Sequence, residues 1–301
     1  MTTVTRPAEH EGELAVQRRA AEGRSTPAYG PVISGDFVEF VRRQRLAVIG
    51  AADDTDVVWA TVLTGAPGFA DPLDDTTIAL RDLPPPGDPL HGAFDRERDC
   101  GMIMLDTGAR KRIRANGRMW RDGDRLVMRT EQVLRNCPRY IQLREPAADA
   151  EPTTAAATAG TAITLPQQRW ISEADTFFIA TRTVRHGADA SHRGGPPGFV
   201  TVVGPRELSW PDYKGNSFYM TFGNLELDPA CGLVFLDWAG GRTLHLTGRA
   251  RVDWDDRSAP GAIRTVRFQV ERVVQVDAAT ALRWRLLEYS PVNPKPKEGN
   301  E

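Results

Sequence analysis

A chain that contains the same unit twice is bound more tightly by that fact than by any composition, because both copies must reach one fold and what joins them must be a connector. Pro67-Gly68-Phe69 recurs 130 residues later as Pro197-Gly198-Phe199, and Ile49 with small Gly50 recurs at the same distance as Ile179 with small Ala180. Cys100-Gly101 followed by Leu105-Asp106 recurs 131 residues later as Cys231-Gly232 followed by Leu236-Asp237, and Gly117-Arg118 recurs as Gly248-Arg249. Unrelated local patterns do not keep order and spacing, whereas duplication of one domain does.

The join is visible as a change of composition. Residues 145–160, EPAADAEPTTAAATAG, are rich in Ala, Thr and Pro and hold no large apolar side chain, so they cannot bury enough surface to fold alone. The reading divides the chain into an arm over 1–35 with a short helical stretch from Glu13 to Ala21, a first copy over 36–144, a linker over 145–164, and a second copy over 165–301 that includes the C-terminal tail.

Within each copy the signal is mostly β. Leu46 to Ile49, Val57 to Leu63, Thr77 to Leu80, Met102 to Leu105, Arg112 to Met119 and Arg125 to Met128 are runs of strand length between Gly, Pro or Asp turns. Their counterparts are Phe177 to Ala180, Phe199 to Val203, Glu207 to Trp210, Leu233 to Leu236, Thr243 to Ala250 and Thr265 to Val276. Helical patterns precede the first strand of each copy, at Gly35 to Gln44 and Pro166 to Ala174. The expected fold is therefore mainly β with few helices: two small antiparallel barrels in tandem, forming a pseudo-dimer within one chain.

Composition enters mainly by exclusion. With 38 Lys+Arg against 40 Asp+Glu the net charge is −2, which gives no bulk reason to bind nucleic acid or an anionic membrane. The N-terminus mixes acids and bases without the apolar stretch of a secretory signal, and no run approaches the length of a membrane span, so a cytoplasmic protein is expected. Cys100, Cys137 and Cys231 are far apart and odd in number, which suggests neither a disulfide scaffold nor a metal site.

The places where the copies differ point to chemistry. Ahead of the second PGF turn stands ADASHRGGP (188–196), where the first copy has the apolar VWATVLTGA (58–66). Polar groups entering a turn that glycines permit suit an anion approached by backbone, with Arg193 as a forked donor, and the same residues read equally well as a surface loop. The next cluster, WPDYKGNS (210–217), offers Lys214, Asn216 and Ser217 as donors around Gly215, or simply a β-turn between strands. In the first copy, Arg110-Lys111-Arg112-Ile113-Arg114 puts three arginines on one strand face, which meets either solvent or an anionic ligand bound at the interface of the two copies. Cys137 lies between Arg135 and Arg139, which lower a thiol pKa if it is exposed, while Cys100 and Cys231 occupy equivalent core positions. No Ser/His/Asp triad, HExxH, phosphate-binding P-loop or dinucleotide glycine motif is present, so a cofactor is expected to carry the hard step.

These segments resemble the pyridoxamine 5'-phosphate oxidase-like family of flavin-binding split β-barrels, in particular its two-copy branch. The resemblance is carried by VWATVLTGAPGF (58–69), RANGR (114–118), NCPRYIQ (136–142), ADTFFIAT (174–181), GADASHRGGPPGFV (187–200), WPDYKGN (210–216) and LRWRLLEYSP (282–291). It implies two split barrels holding FMN between them, with phosphate contacts from Ser191, Arg193, Lys214 and Asn216 and further cofactor contacts at His192, Gly194, Tyr213, Ser217, Arg112 and Arg114. Cys137, Tyr140 and Tyr219 then line the substrate side, and His192, the group nearest neutral pKa, is either a proton donor or a cofactor contact. The implied activity is an oxidoreductase that moves hydride to or from flavin N5 for a small molecule, either taking electrons from a reduced nicotinamide or a separate reductase or passing them to oxygen, in a monomeric pseudo-dimer or a homodimer. The vitamin-binding residues of the namesake oxidase have no match in this sequence. Deazaflavin or haem in the same barrel, and a non-catalytic flavin-binding scaffold, are the competing readings.

Overall fold

The computed structural model describes residues 9–21, 29–151 and 153–295. Parts of the expected arm (1–8 and 22–28), one linker residue (152) and the end of the tail (296–301) lie outside them. The arm contributes α1 (Glu11–Ala20), and α2 (Asp36–Arg43) leads into the first sheet. That sheet holds β1 (Leu46–Ala52), β2 (Val58–Thr64), β3 (Ala70–Pro72), β4 (Thr77–Leu80), β5 (Arg98–Asp106), β6 (Lys111–Asp122) and β7 (Arg125–Arg135). Two short strands follow, β8 (Leu143–Pro146) and β9 (Ala156–Gly160), and then α3 (Leu165–Glu173). The second sheet holds β10 (Thr176–Thr183), β11 (Gly187–Gly194), β12 (Thr201–Gly204), β13 (Glu207–Asp212), β14 (Ala230–Leu236), β15 (Thr243–Asp253) and β16 (Arg264–Asp277). Helix α4 (Met220–Leu227) interrupts it between β13 and β14, and β17 (Trp284–Glu288) closes the chain.

The first sheet runs β2-β1-β5-β6-β7-β4-β3 and the second β11-β10-β14-β15-β16-β13-β12, which is one strand order written twice. The agreement extends to register. Ile49 pairs with Thr61 and Met102, and Ile179 pairs with Ser191 and Leu233. A bulge at Asn116/Gly117 recurs at Thr247/Gly248. The PGF turns match as well: Gly68 (φ +93°) and Gly198 (φ +86°) both take left-handed backbone, where a Cβ is strained. The molecule is thus mainly β, two tandem split barrels forming an intrachain pseudo-dimer. The stretch between them is not bare connector: β8 pairs with β17 and β9 pairs with the end of β16, although every residue of β9 is exposed.

Strand β1 is buried along its whole length because its two faces serve different cores. Ala47, Ile49 and Ala51 face the first barrel's interior with Trp59, Met102 and Met128. Leu46 and Val48 face a core between the halves, with Val58, Ile103, Phe178, Ala190 and Val234. Period-two alternation over two apolar environments explains why this strand reads as an unbroken apolar run. Small residues set the approach of the halves: a Cβ on Gly50 would lie 2.6 Å from the Ala180 Cβ, and one on Gly232 would lie 2.6 Å from the Trp59 Cα.

One element differs from the sequence expectation. Gly187–Gly194 is not a glycine-permitted turn but a full strand, β11, in the register of β2. Gly194 and Gly195 have no positive φ; a Cβ on Gly194 would meet the Tyr140 carbonyl and one on Gly195 the Phe199 ring. They permit close approach rather than a turn. Helix α4 also has no sequence signal, since Thr221, Phe222 and Gly223 are poor helix formers. It forms through burial of Met220, Phe222 and Leu225.

Candidate functional site

Because the halves cross, β11 of the second barrel lies against β5 and β6 of the first. Alternation along β11 puts Asp189, Ser191 and Arg193 on one face, and alternation along β6 brings Arg112 and Arg114 to meet them. Arg114 donates from one terminal nitrogen to Asp189 Oδ1 at 2.8 Å and from the other to the Ser191 hydroxyl. The Thr221 hydroxyl of α4 lies 2.9 Å from Ser191 Oγ and 3.2 Å from Asp189 Oδ2, and Asn116 Nδ2 lies 3.5 Å from Asp189 Oδ1. Asp189, Ser191, Arg114 and Thr221 are all buried. Arg193 stands 3.9 Å from Asp212, whose other oxygen is 3.1 Å from Arg264, and its guanidinium lies over the Phe222 ring.

The segment 213–219, with positive φ at Ser217 and Tyr219, closes this crossing into a cleft of two lobes. The first, about 70 Å³, is lined by Arg114, Ser191, Arg193, Asn216, Ser217, Tyr219 and Thr221 among others. The second, about 80 Å³, shares Arg114, Ser191, Arg193, Asp212, Tyr213 and Asn216 and adds Arg112, His192, Gly194, Asn136, Arg139 and Tyr140. An open apolar groove of about 580 Å³, lined by Tyr29, Val32, Phe37, Val133, Leu134 and Phe218, shares Phe218 with the first lobe.

Most sequence candidates therefore converge. Arg112, Arg114, Ser191, His192, Arg193, Gly194, Tyr213, Asn216, Ser217, Tyr140 and Tyr219 all line the cleft. Two do not line it. Lys214 is exposed, and it is its backbone carbonyl that accepts from Arg139 and from the Tyr140 hydroxyl. Cys137 is half-buried and lines neither lobe. Arg110 ends in a left-handed turn (φ 49°) before β6 and donates to the Ile141 carbonyl, so only Arg112 and Arg114 of the basic run face the cleft. Asp189, Thr221, Asn136 and Arg139 went unselected from sequence; for Asp189 the signal was its period-two spacing from Ser191 and Arg193.

Burial shapes the charges here. It pushes the Arg112 guanidinium down to about 9, aided by Arg114 and Arg193. Burial, then Arg112, Arg193 and Arg144, hold His192 well below its ordinary value. His192 is therefore neutral around pH 7.

The pseudo-equivalent crossing, where β2 meets β14 and β15, has none of this. By the shared register Asp189, Ser191, His192 and Arg193 correspond to Trp59, Thr61, Val62 and Leu63, while Arg112 and Arg114 correspond to Thr243 and His245. His245 is fully buried, with Nδ1 2.8 Å from the Ala60 carbonyl and Nε2 2.8 Å from the Thr243 hydroxyl, and Thr61 donates to Asp88. This crossing is a packed, self-satisfied plug. Beside the cleft, His10, Glu11 and His186 bring ligand atoms within 4.8 Å of one another. The imidazoles stack nearly parallel (6°, 4.5 Å), so a metal cannot lie in both ring planes, and the contacts tie α1 to the turn ahead of β11.

No protein-family model matches the chain, and no curated protein does. Among solved structures, HupZ of Group A Streptococcus is similar at 10% identity over 36% of this chain and 91% of that one, with a TM-score of 0.31. An FAD-binding protein of Mesorhizobium loti is 9% identical over 41% of this chain and 99% of that one, at 0.29. An FMN-binding protein of Syntrophomonas wolfei is 8% identical over 37% of this chain and 84% of that one, at 0.28. The chemistry of the cleft rests on its own residues.

Proposed function

We propose that the protein is an FMN-dependent oxidoreductase acting on a small molecule, with the flavin held at the single open crossing of the two barrels. The observation that carries this reading is the first lobe: Arg193, Arg114, Ser191, Asn216 and Ser217 converge on a space the size of a phosphate. Forked guanidinium and hydroxyl donors are the groups a phosphate monoester needs. The lobes are far smaller than the ~300–1,000 Å³ of whole-ligand pockets. Only the phosphate end fits there, and the flat ring belongs in the adjoining groove, whose Tyr29, Phe37, Val133, Leu134 and Phe218 offer apolar walls.

A bound flavin supplies hydride transfer at N5. The chain's own residues do the rest. Asp189 holds Arg114 in place, and Arg114 in turn fixes Ser191, so the donors are preorganised by a buried network. Asp212 positions Arg193 from the opposite side. Phe218 lines both lobe and groove, and the groove offers the ring apolar side chains to pack against.

The test is an absorption spectrum of the purified protein with and without added FMN, followed by mass analysis of whatever denaturation releases. A two-band flavin spectrum that bleaches anaerobically with a reduced nicotinamide or dithionite supports the reading. A Soret band, a deazaflavin mass, or no bindable chromophore overturns it.

A further inference from the structure

We infer that the second lobe of the cleft is an oxyanion site that takes a carboxylate or phosphate group of the substrate, separate from the lobe that holds the flavin phosphate. The word substrate rests on the flavin reading; the oxyanion site does not.

Three observations carry it. The first is a forced tautomer. Arg112 lies 2.8 Å from His192 Nδ1 through a terminal guanidinium nitrogen, and a guanidinium only donates, so Nδ1 is the acceptor. Neutral His192 then carries its proton on Nε2, and that N–H is buried without any acceptor in a side chain only 4% exposed. A buried donor left unmade is costly, and His192 lines this lobe.

The second is uncompensated charge. Arg112, Arg114, Arg139 and Arg193 line the lobe against one carboxylate, Asp212. Asp189 neutralises Arg114, and Asp212 lies between Arg193 and Arg264. Arg112 and Arg139 have no carboxylate partner among the described residues; Arg112 reaches only His192, and Arg139 donates to the Lys214 carbonyl. A half-buried guanidinium whose Nε is buried without a partner, beside two others, calls for an anion.

The third is size and place. About 80 Å³ is room for a carboxylate or phosphate group. The lobe adjoins the flavin-phosphate lobe across Arg114, Ser191 and Arg193, so a ligand in one is within reach of the other. An orphan N–H and a guanidinium without a carboxylate, on adjacent strands, form a two-point clamp for an oxyanion.

The test titrates inorganic phosphate into the protein saturated with FMN, in chloride-free buffer, by calorimetry. One phosphate per chain is expected, with affinity falling about tenfold to a hundredfold in Arg112→Gln and in His192→Phe, as for loss of one charge-assisted hydrogen bond. The wild-type His192 Nε2–H proton resonance, which needs no variant, is expected to move downfield as phosphate binds. Displacement of FMN by phosphate one for one would show that no second oxyanion site exists beside the bound flavin and overturn the proposal, as would binding indifferent to both variants or no phosphate binding at all. If FMN itself does not bind, the flavin reading falls alone, and the same titration of the FMN-free protein still decides the oxyanion site.

Discussion

Arg114 and Asp189 form the joint on which the cleft depends, and breaking it has a calculable cost. The pair is 2.8 Å apart with side chains 9% and 3% exposed, and Arg114 also serves Ser191 and touches Met220 Sδ at 3.1 Å. Arg114→Met keeps the volume of the stem but leaves Asp189 with only the Thr221 hydroxyl, Ser191 and a long contact to Asn116. Removing one partner of a buried pair leaves an uncompensated charge and costs about 3–5 kcal/mol. Asp189→Asn is expected to cost a similar amount by stranding Arg114. Replacing both, Arg114→Met with Asp189→Leu, is expected to recover at least about 2 kcal/mol of the summed loss, because two apolar groups strand nothing. Urea unfolding followed by tryptophan fluorescence reads this, since Trp59 is fully buried. Single losses below about 1 kcal/mol, the size of an exposed pair, would show that water reaches the joint and refute the preorganised network.

Docking of α1 should depend on pH through Glu13, which burial raises to about 8 against the lowering effects of the His10 backbone N–H and Arg114, with Asp189 and Glu9 adding to the rise. A raised carboxyl favours docking fully below its ordinary 4.5 and loses that contribution as pH climbs through about 8. The protection factors of the α1 amides, which compare measured exchange with the intrinsic rate at each pH, are expected to fall between pH 6.5 and 8 in wild type and to hold steady there in Glu13→Gln; His10, held down to about 4, works in the opposite sense below its ordinary 6.5. Gly101→Ala, whose Cβ would meet Asp189 and Ala190 backbone, is expected to destabilise the chain by about 1–3 kcal/mol as an overpacked interface, and an unchanged melting temperature would show that the halves are not held this closely. Because the mate crossing is plugged by His245, Asp88 and Thr61, calorimetry is expected to find one FMN per chain, and two would show that the plug opens.

Much of this was legible beforehand, and the reasons are physical. The repeat could be read because the PGF turns need a left-handed glycine and the interface needs small residues at Gly50, Ala180, Gly101 and Gly232. The cleft showed as the stretch where one copy turns polar. What misled was polarity itself: ADASHRG looks like loop, yet β11 is buried along nearly its whole length, with Asp189, Ser191 and Arg193 on the face that lines the polar cleft. Lys214 was attractive by residue type, but its backbone carbonyl is what Arg139 and Tyr140, in the turn between β7 and β8, engage. Helix α4 was hidden because its stability comes from α1 packing across Gly12 and Gly223, a contact between distant segments that no local pattern records.

The central claim is that this crossing binds the phosphate of a flavin. Titrating FMN and riboflavin in parallel, by quenching of flavin fluorescence, into wild type and Arg193→Ala tests it most directly. FMN is expected to bind wild type at least about tenfold more tightly than riboflavin, and Arg193→Ala is expected to erase most of that difference while leaving riboflavin binding where it was. Equal affinity for the two flavins, or a preference for FMN that survives the loss of Arg193, would contradict the account.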